Sequence, residues 1–483
     1  VFDSPPALIF KRLFWIVTVL LAVGGAATAT DIFSVGTAAG FAVAAAALLP
    51  SLLWVQGRVL GLPIFPIVCL TYLWTCAAPL IQGNSAVTRY ELGVQLVGAA
   101  TIIGFLLLGT LFWAITAGRS VIRRTHCWAF PEDPNGIGLL VLLAVGCVFI
   151  SPLPWMLLPT IGPNVHSALK MGFVGLAILA VAVLGYQWGR GVLSVGAKIL
   201  FVILGLLFSV IETAGLMVHG VTSLIFSVTI TYTLGRGRPP LLFVATALTV
   251  ASLLHLGKSP MRERYWSKQD QMPGYAELYL EWFGHAFAEL TTRMDESENV
   301  TKGKAKTSTR LERASVLHML LLVESRSPDQ VPYLAGNTYA IIPELLIPRF
   351  LSPDKPLAHE GTYRLSIHYG LQTREQTKKY TIGFGVIAEG YANFGYYGVA
   401  GLALLIGTVS GFAARWGRGM PVTSFRGLFG ILVLTALLQT ESTLGVATNT
   451  LFQATVALTI VGGLFMRRVA LPTVAANELV LEA

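Results

Sequence analysis

The sequence predicts an all-α polytopic membrane protein. Its mean hydropathy is +0.67, only 12% of its residues are charged, and the apolar residues gather in runs close to the ~20 needed to cross a hydrocarbon core. The Lys and Arg side chains sit in the short breaks between these runs or in one long polar stretch, about Gly257 to Phe384. That placement directs the basic balance, pI about 9.4, away from nucleic acid and toward the membrane. Cys69, Cys76, Cys127 and Cys147 all lie in apolar segments or one short basic loop, so the long stretch has neither a disulfide framework nor a Cys-based metal site.

In chain order, Lys11 and Arg12 precede an apolar run that imitates a signal peptide, but a second run follows almost at once and no cleavage site separates them. The run is therefore read as the first membrane helix. About twelve spans are expected: Leu13 to Thr30, Phe33 to Val55, Leu60 to Ile81, Leu92 to Ala117, Ile137 to Leu157, Ser167 to Trp188, Ile199 to Val218, Val221 to Leu234, Pro240 to Leu256, Gly385 to Ala414, Gly427 to Gln439 and Ala447 to Met466. This divides the chain into an N-terminal bundle of about nine helices (1–256), the long polar stretch (257–384), about three C-terminal helices (385–468) and a tail (469–483).

Basic residues in short loops mark the cytoplasmic side. With the N-terminus inside, the inner loops hold Lys11 and Arg12, Arg58, Arg119 with Arg123 and Arg124, Arg190 with Lys198, Arg236 with Arg238, Arg415 with Arg418 and Arg426, and Arg467 with Arg468; the short outer loops hold little but Arg89. The expected topology has both termini inside and the long stretch outside. That stretch carries half of the chain's 34 Lys and Arg, which long outer segments are free to do.

Within it, Tyr275, Leu278, Trp282, Phe287 and Leu290 recur near helical spacing and predict an amphipathic helix. Asp295 to Thr309 is polar and Lys-rich, a crossing without apolar period. Helical character resumes over Arg313 to Val323 and stops at Ser327-Pro328, and Ala335-Gly336-Asn337 makes a turn. A short apolar segment, Tyr339 to Ile347, ends in Pro348-Arg349, and Pro353 and Pro356 bracket Asp354-Lys355.

The candidate chemistry lies here. Arg313, Arg349 and Lys355 stand at the mouth of a membrane bundle, with Arg310 and Arg364 as further cations of the same stretch. Guanidinium forks offer paired donors in phosphate geometry and Lys adds a point charge; the competing reading pairs them with Glu312, Glu344, Asp354 or lipid head groups. Glu389, where the polar stretch re-enters lipid, is a carboxylate that should face a cavity or a cation. It reads as a general base or as a structural partner of an arginine. His359 and His368 are the other titratable candidates, against a plain surface role. Glu212 reads as an ion-path group or a partner of Lys170 or His219, and Asp31 stands alone after the first helix. Trp266, Tyr275 and Trp282 are candidate stacking surfaces. Gly383-x-Gly385-x-x-Ala388 imitates a dinucleotide fingerprint, but no strand precedes it.

The order Arg313, Ser327-Pro328-x-x-Val331-Pro332-Tyr333, Gly336-x-Thr338-Tyr339, Ile347-Pro348-Arg349-Phe350-Leu351, Pro353-Asp354-Lys355-Pro356 and Glu389-x-Tyr391-x-Asn393-Phe394-Gly395-x-x-Gly398 resembles the bacterial Wzy-type O-antigen and exopolysaccharide polymerases. The motifs cover about ninety residues; the rest agrees as a many-spanning bundle with a late outer loop. Ser352 stands where many relatives have an aromatic residue. The resemblance implies a GT-C-like glycosyltransferase architecture in the bacterial inner membrane, with a large helical periplasmic loop. It further implies polymerisation of oligosaccharide repeat units carried on undecaprenyl diphosphate, which serve as donor and acceptor, without metal or other cofactor. A chain-length regulator and a flippase would be partners. In that reaction Arg313, Arg349 and Lys355, with Arg310 and Arg364, would hold the diphosphate, and Glu389 would take the proton of the attacking hydroxyl, with His368 or His359 in reserve. The rival enzyme reading is an O-antigen ligase, and the rival of another class is a transporter for the same lipid-linked sugar.

Overall fold

The computed structural model of the chain describes residues 8–29, 31–118, 125–154, 163–216, 219–266, 272–298, 316–349, 351–377 and 380–471. Single turns aside, its helices are α1 (Leu8–Thr28), α2 (Val35–Val55), α3 (Ile64–Ile81), α4 (Leu92–Ala117), α5 (Ile137–Ile150), α6 (Pro163–Gly189), α7 (Val195–Ala214), α8 (His219–Arg236), α9 (Leu241–Tyr265), α10 (Tyr275–Glu298), α11 (Leu317–Arg326), α12 (Ile342–Leu346), α13 (Glu360–His368), α14 (Gly385–Trp416), α15 (Phe425–Leu437) and α16 (Leu444–Phe465). A two-stranded ribbon, β1 (His126–Ala129) with β2 (Arg467–Ala470), is the only sheet among the described residues. The protein is all-α and polytopic, with 74% of the described residues helical.

Each of the twelve expected spans is a helix. Among the described residues nine are long and apolar enough to cross a membrane, rather than twelve. Ile137–Ile150 and Phe425–Leu437 are apolar but shorter. The third, α8, has 18 residues, but Ser227, Thr229, Thr231 and Thr233 dilute its apolar content. In the polar stretch α9 continues to Tyr265, beyond the apolar run expected to end at Leu256, and α10 covers the predicted amphipathic helix. Of the polar crossing expected over Asp295 to Thr309, only the start belongs to α10 and the rest lies outside the described residues.

The chain forms two compact units. The first comprises Val1–Ala129, Thr307–Val456 and Arg468–Ala483. At its centre α4 lies against α14. Glycines make the approach possible: a β-carbon on Gly407 would overlap the Gly109 carbonyl, and one on Gly411 would meet the Trp113 carbonyl and the Ala117 backbone. Such close backbone contact is how small residues let helices associate in a membrane, where no hydrophobic force drives them together. Phe65 fills the space over Gly109 and lies against Trp113, ring centroids 6.2 Å apart. Arg418, 1% exposed, follows α14 and directs one Nη2 to the carbonyls of Leu60, Ala117 and Gly118 at 2.9, 2.7 and 2.9 Å.

The second unit comprises Phe130–Lys306 and Ala457–Arg467. Here α6 packs on α5, with Phe149 stacked on Phe173 at 4.3 Å, and on α8, where Gly189 and Gly235 face backbone of the opposite helix. The helices α9 and α10 form a hairpin. Gly257 leaves room for Trp282, whose Nε1 donates to the Leu254 carbonyl at 2.8 Å. Trp282 is wholly buried there with Leu216, Leu254, Met261, Tyr265 and Leu278, so it is a core residue and not a stacking surface. Trp266 lies under the Arg262 guanidinium, 4.4 Å from its ring centroid, and Tyr275 is 44% exposed.

Candidate functional site

The site is built where the long stretch returns onto the first turns of α14. That helix is broken: Phe394 (φ −144°, ψ 19°) and Gly395 (φ 59°, ψ −144°) leave helical geometry. Glycine is required at 395, both for the positive φ and because a side chain would run into the Tyr333 ring. Below the break, Gly398 lies so close to the Gly390 carbonyl that any β-carbon would collide with it.

Glu389, 0% exposed, sits one turn before this break. Its Oε2 accepts from the Leu444 N–H at 2.6 Å, the first residue of α16, where the helix dipole favours negative charge. Its Oε1 is buried with no hydrogen-bond partner among the described residues. The expected cation or cavity beside Glu389 is thus replaced, for one oxygen, by the end of a helix.

Asn393, also 0% exposed, binds the returning chain to α14. Its Nδ2 donates to Thr338 Oγ1 at 2.9 Å and to the Glu389 carbonyl at 2.8 Å, while its Oδ1 accepts from the Gly336 N–H at 3.1 Å. The backbone of the turn adds Leu334 N–H to the Ala392 carbonyl at 2.9 Å and Ala335 N–H to the Asn393 carbonyl at 3.1 Å. The turn predicted at Ala335-Gly336-Asn337 exists, with both Ala335 (φ 47°) and Gly336 (φ 86°) left-handed. Farther along, Thr362 of α13 meets Thr443 at 3.2 Å, and Leu345 of α12 rests where Gly445 lacks a side chain.

The cations occupy the turn after α12. Arg349 donates from Nη1 to the Pro353 carbonyl at 3.0 Å and from Nη2 to the Pro356 carbonyl at 3.3 Å. Lys355 Nζ donates to the carbonyls of Leu345 and Ile347 at 2.9 and 2.7 Å. The two prolines therefore do more than restrict φ, since their carbonyls aim the guanidinium. Partial burial, and after it the charge of Arg349, lower the Lys355 pKa. Among the described residues neither cation has a carboxylate partner, so the alternative pairings with Glu344 and Asp354 do not form. Arg364 differs: it donates to the carbonyl and side-chain oxygen of Asn337 and lies 3.6 Å from Glu360, which also holds Arg374 at 3.0 Å.

His368 Nε2 is 2.8 Å from the Pro332 carbonyl, which can only accept, so that nitrogen carries the proton and Nδ1 is the basic one. His359 precedes α13 and lies against the Tyr363 ring at 6.3 Å. Arg310 and Arg313 lie outside the described residues. Asp31 Oδ1 accepts from the Phe33 N–H at 3.0 Å, a local turn before α2, and Glu212 in the second unit packs where Gly220 lacks a side chain.

Thus the fold brings Glu389 together with Thr338 and Asn393, and joins Arg364 to them through Asn337. Lys355 attaches through Leu345 to the start of α16, whose Leu444 holds Glu389. Sequence reasoning did not assign roles to Thr338, Asn393 or Leu444; Asn393 and Thr338 were within the quoted motifs, but a backbone N–H leaves no trace in residue type. A further carboxyl, Glu324 of α11, accepts from Thr101 of α4 at 2.6 Å. No group of three or more His, Cys, Asp or Glu side chains suited to a metal ion occurs among the described residues. No family model, curated protein or solved structure matches this chain.

Proposed function

We propose that this chain is a membrane glycosyltransferase that polymerises oligosaccharide repeat units linked to undecaprenyl diphosphate. The observation that carries the reading is the pair Arg349 and Lys355. Two like charges are fixed beside each other by backbone carbonyls, and among the described residues no carboxylate neutralises them. Such a pair is repulsive by itself and becomes favourable when a multiply charged anion lies across it. A diphosphate on a lipid carrier meets that requirement at the edge of an apolar bundle, in agreement with the resemblance of the loop motifs to Wzy-type polymerases.

In this reading the bundle is GT-C-like and lies in the bacterial inner membrane. Both termini are cytoplasmic and the long stretch is periplasmic. The acceptor hydroxyl oxygen attacks the anomeric carbon, the bond to the diphosphate oxygen breaks, and the released charge is stabilised by Arg349 and Lys355. The hydroxyl proton passes to Glu389, whose Oε1 is free to accept it, or to Nδ1 of His368. Lipid-linked units would come from a flippase, and a chain-length regulator would act on the product.

Reconstitution with a defined lipid-linked repeat unit, read by mass, tests this. Wild type should lengthen the glycan. Arg349→Ala and Lys355→Ala should each slow extension by roughly 100-fold. Glu389→Gln, which keeps an oxygen for the Leu444 N–H, should slow it by at least as much as the lost base contributes, ~10²-fold or more. Full-length polymer from folded Arg349→Ala protein would exclude the diphosphate role; transfer only to a lipid A core acceptor would favour ligation, and no covalent product at all would favour transport.

A further inference from the structure

We infer that Asn393 is a positioning residue for this reaction: one buried amide sets the turn 334–338, and with it Arg364, against the helical turn that carries Glu389. The inference rests on the proposed transfer for its kinetic half and on geometry alone for its structural half.

The amide of Asn393 is used on both sides. Its NH₂ reaches Thr338 in the returning stretch and the Glu389 carbonyl in its own helix, and its oxygen receives the Gly336 N–H. Apart from glutamine, which carries the same amide on a longer arm, no side chain type offers this set: a carboxylate lacks the two donors, an ammonium lacks the acceptor, and an apolar group leaves the Gly336 N–H without this partner. The next residue after the turn's glycine extends the chain of contacts, because both the backbone and side-chain oxygens of Asn337 accept from Arg364. Phe394 contributes from the other side, its ring stacked on Tyr339 at 6.3 Å and closing over Gly336.

The anion-holding pair is anchored elsewhere. Arg349 and Lys355 are fixed by carbonyls of residues 345–356, none of which depends on Asn393. Loss of the amide should therefore leave recognition of the lipid diphosphate in place and shift the proton acceptor relative to it. A displacement of about 1 Å between reacting groups costs on the order of 10²-fold in rate.

The test compares Asn393→Ala and Asn393→Asp with wild type in the reconstituted extension assay, alongside amide hydrogen exchange. Asn393→Ala should lower kcat about 30- to 100-fold with KM for the lipid-linked unit within about twofold. Asn393→Asp should be equally slow at neutral pH, because its carboxylate supplies neither donor. The amides of Leu334, Ala335 and Gly336 should lose protection in Asn393→Ala while those of Leu351, Ser352 and Lys355 keep theirs. An unchanged kcat, or a loss confined to KM, would overturn the positioning role. If wild type extends no glycan, the proposed transfer fails, and the exchange pattern still decides whether Asn393 holds the turn: equal protection in wild type and Asn393→Ala ends the inference.

Discussion

Arg418 and Arg349 look alike in the sequence and are opposites in the structure. Arg418 is one of the basic residues in the short loops that set the expected orientation, yet it is closed off from solvent and bonded to three carbonyls of two other chain segments. Replacing it with Met would strand those acceptors and should cost about 3 kcal/mol, read as earlier thermal unfolding in detergent. Arg418→Lys should lie between Met and wild type; a Met variant melting with wild type would show that the carbonyl contacts contribute nothing. Charge alone could not distinguish Arg418 from Arg415, because carbonyl acceptors are present at every residue and do not register in a pattern of side chains. Arg364 makes the same point within the site. It ranked beside Arg349 as a candidate cation, and only the proximity of Glu360 separates an ion-paired arginine from an unneutralised one.

At the scale of elements, apolar periodicity located every helix expected to span, because a run of ~20 apolar residues has few other stable conformations in lipid. Ends were less legible. Helix α9 runs past its apolar stretch through Arg262, Glu263 and Arg264, all good helix formers, and α10 supplies the packing that holds it. The join of α11 to α4 carries its own pH dependence. Burial raises the Glu324 carboxyl from its ordinary value of 4.5 to about 7, with the Thr101 hydroxyl acting the other way. Its Oε2 has no hydrogen-bond partner among the described residues, and the neighbouring Arg326 is engaged with the Tyr369 carbonyl at 2.9 Å. The folded protein therefore keeps this proton to higher pH than the unfolded chain does. The associated stability is full below pH 4.5 and is lost as pH rises through about 7. Thermal unfolding of wild type should weaken across that window, by up to about 3 kcal/mol, and Glu324→Gln should flatten the change. Identical pH slopes for the two proteins would rule Glu324 out as the source.

For the whole molecule, the orientation proposed from loop charges is open to a direct test, since Cys69, Cys76, Cys127 and Cys147 are all buried and give little background to thiol reagents. In intact cells an impermeant maleimide should label Leu357→Cys and spare Glu132→Cys until the membrane is broken; the reverse order would invert the topology. The break in α14 bears on the same question of depth. The 32 residues do not form one straight rod: Gly390 and Gly398, which a continuous helix would hold about 12 Å apart, are in backbone contact, so only the part after the break counts toward a hydrocarbon layer of about 30 Å. The part after the break, 395–416, already measures roughly 33 Å and is sufficient to cross the layer. The turns that carry Glu389 add no length to that span; they fold back beside its first turns. Glu389 and Asn393, both 0% exposed, are thus enclosed between two antiparallel pieces of one helix and the turn 334–338, a place from which neither can swing out without unlocking the other.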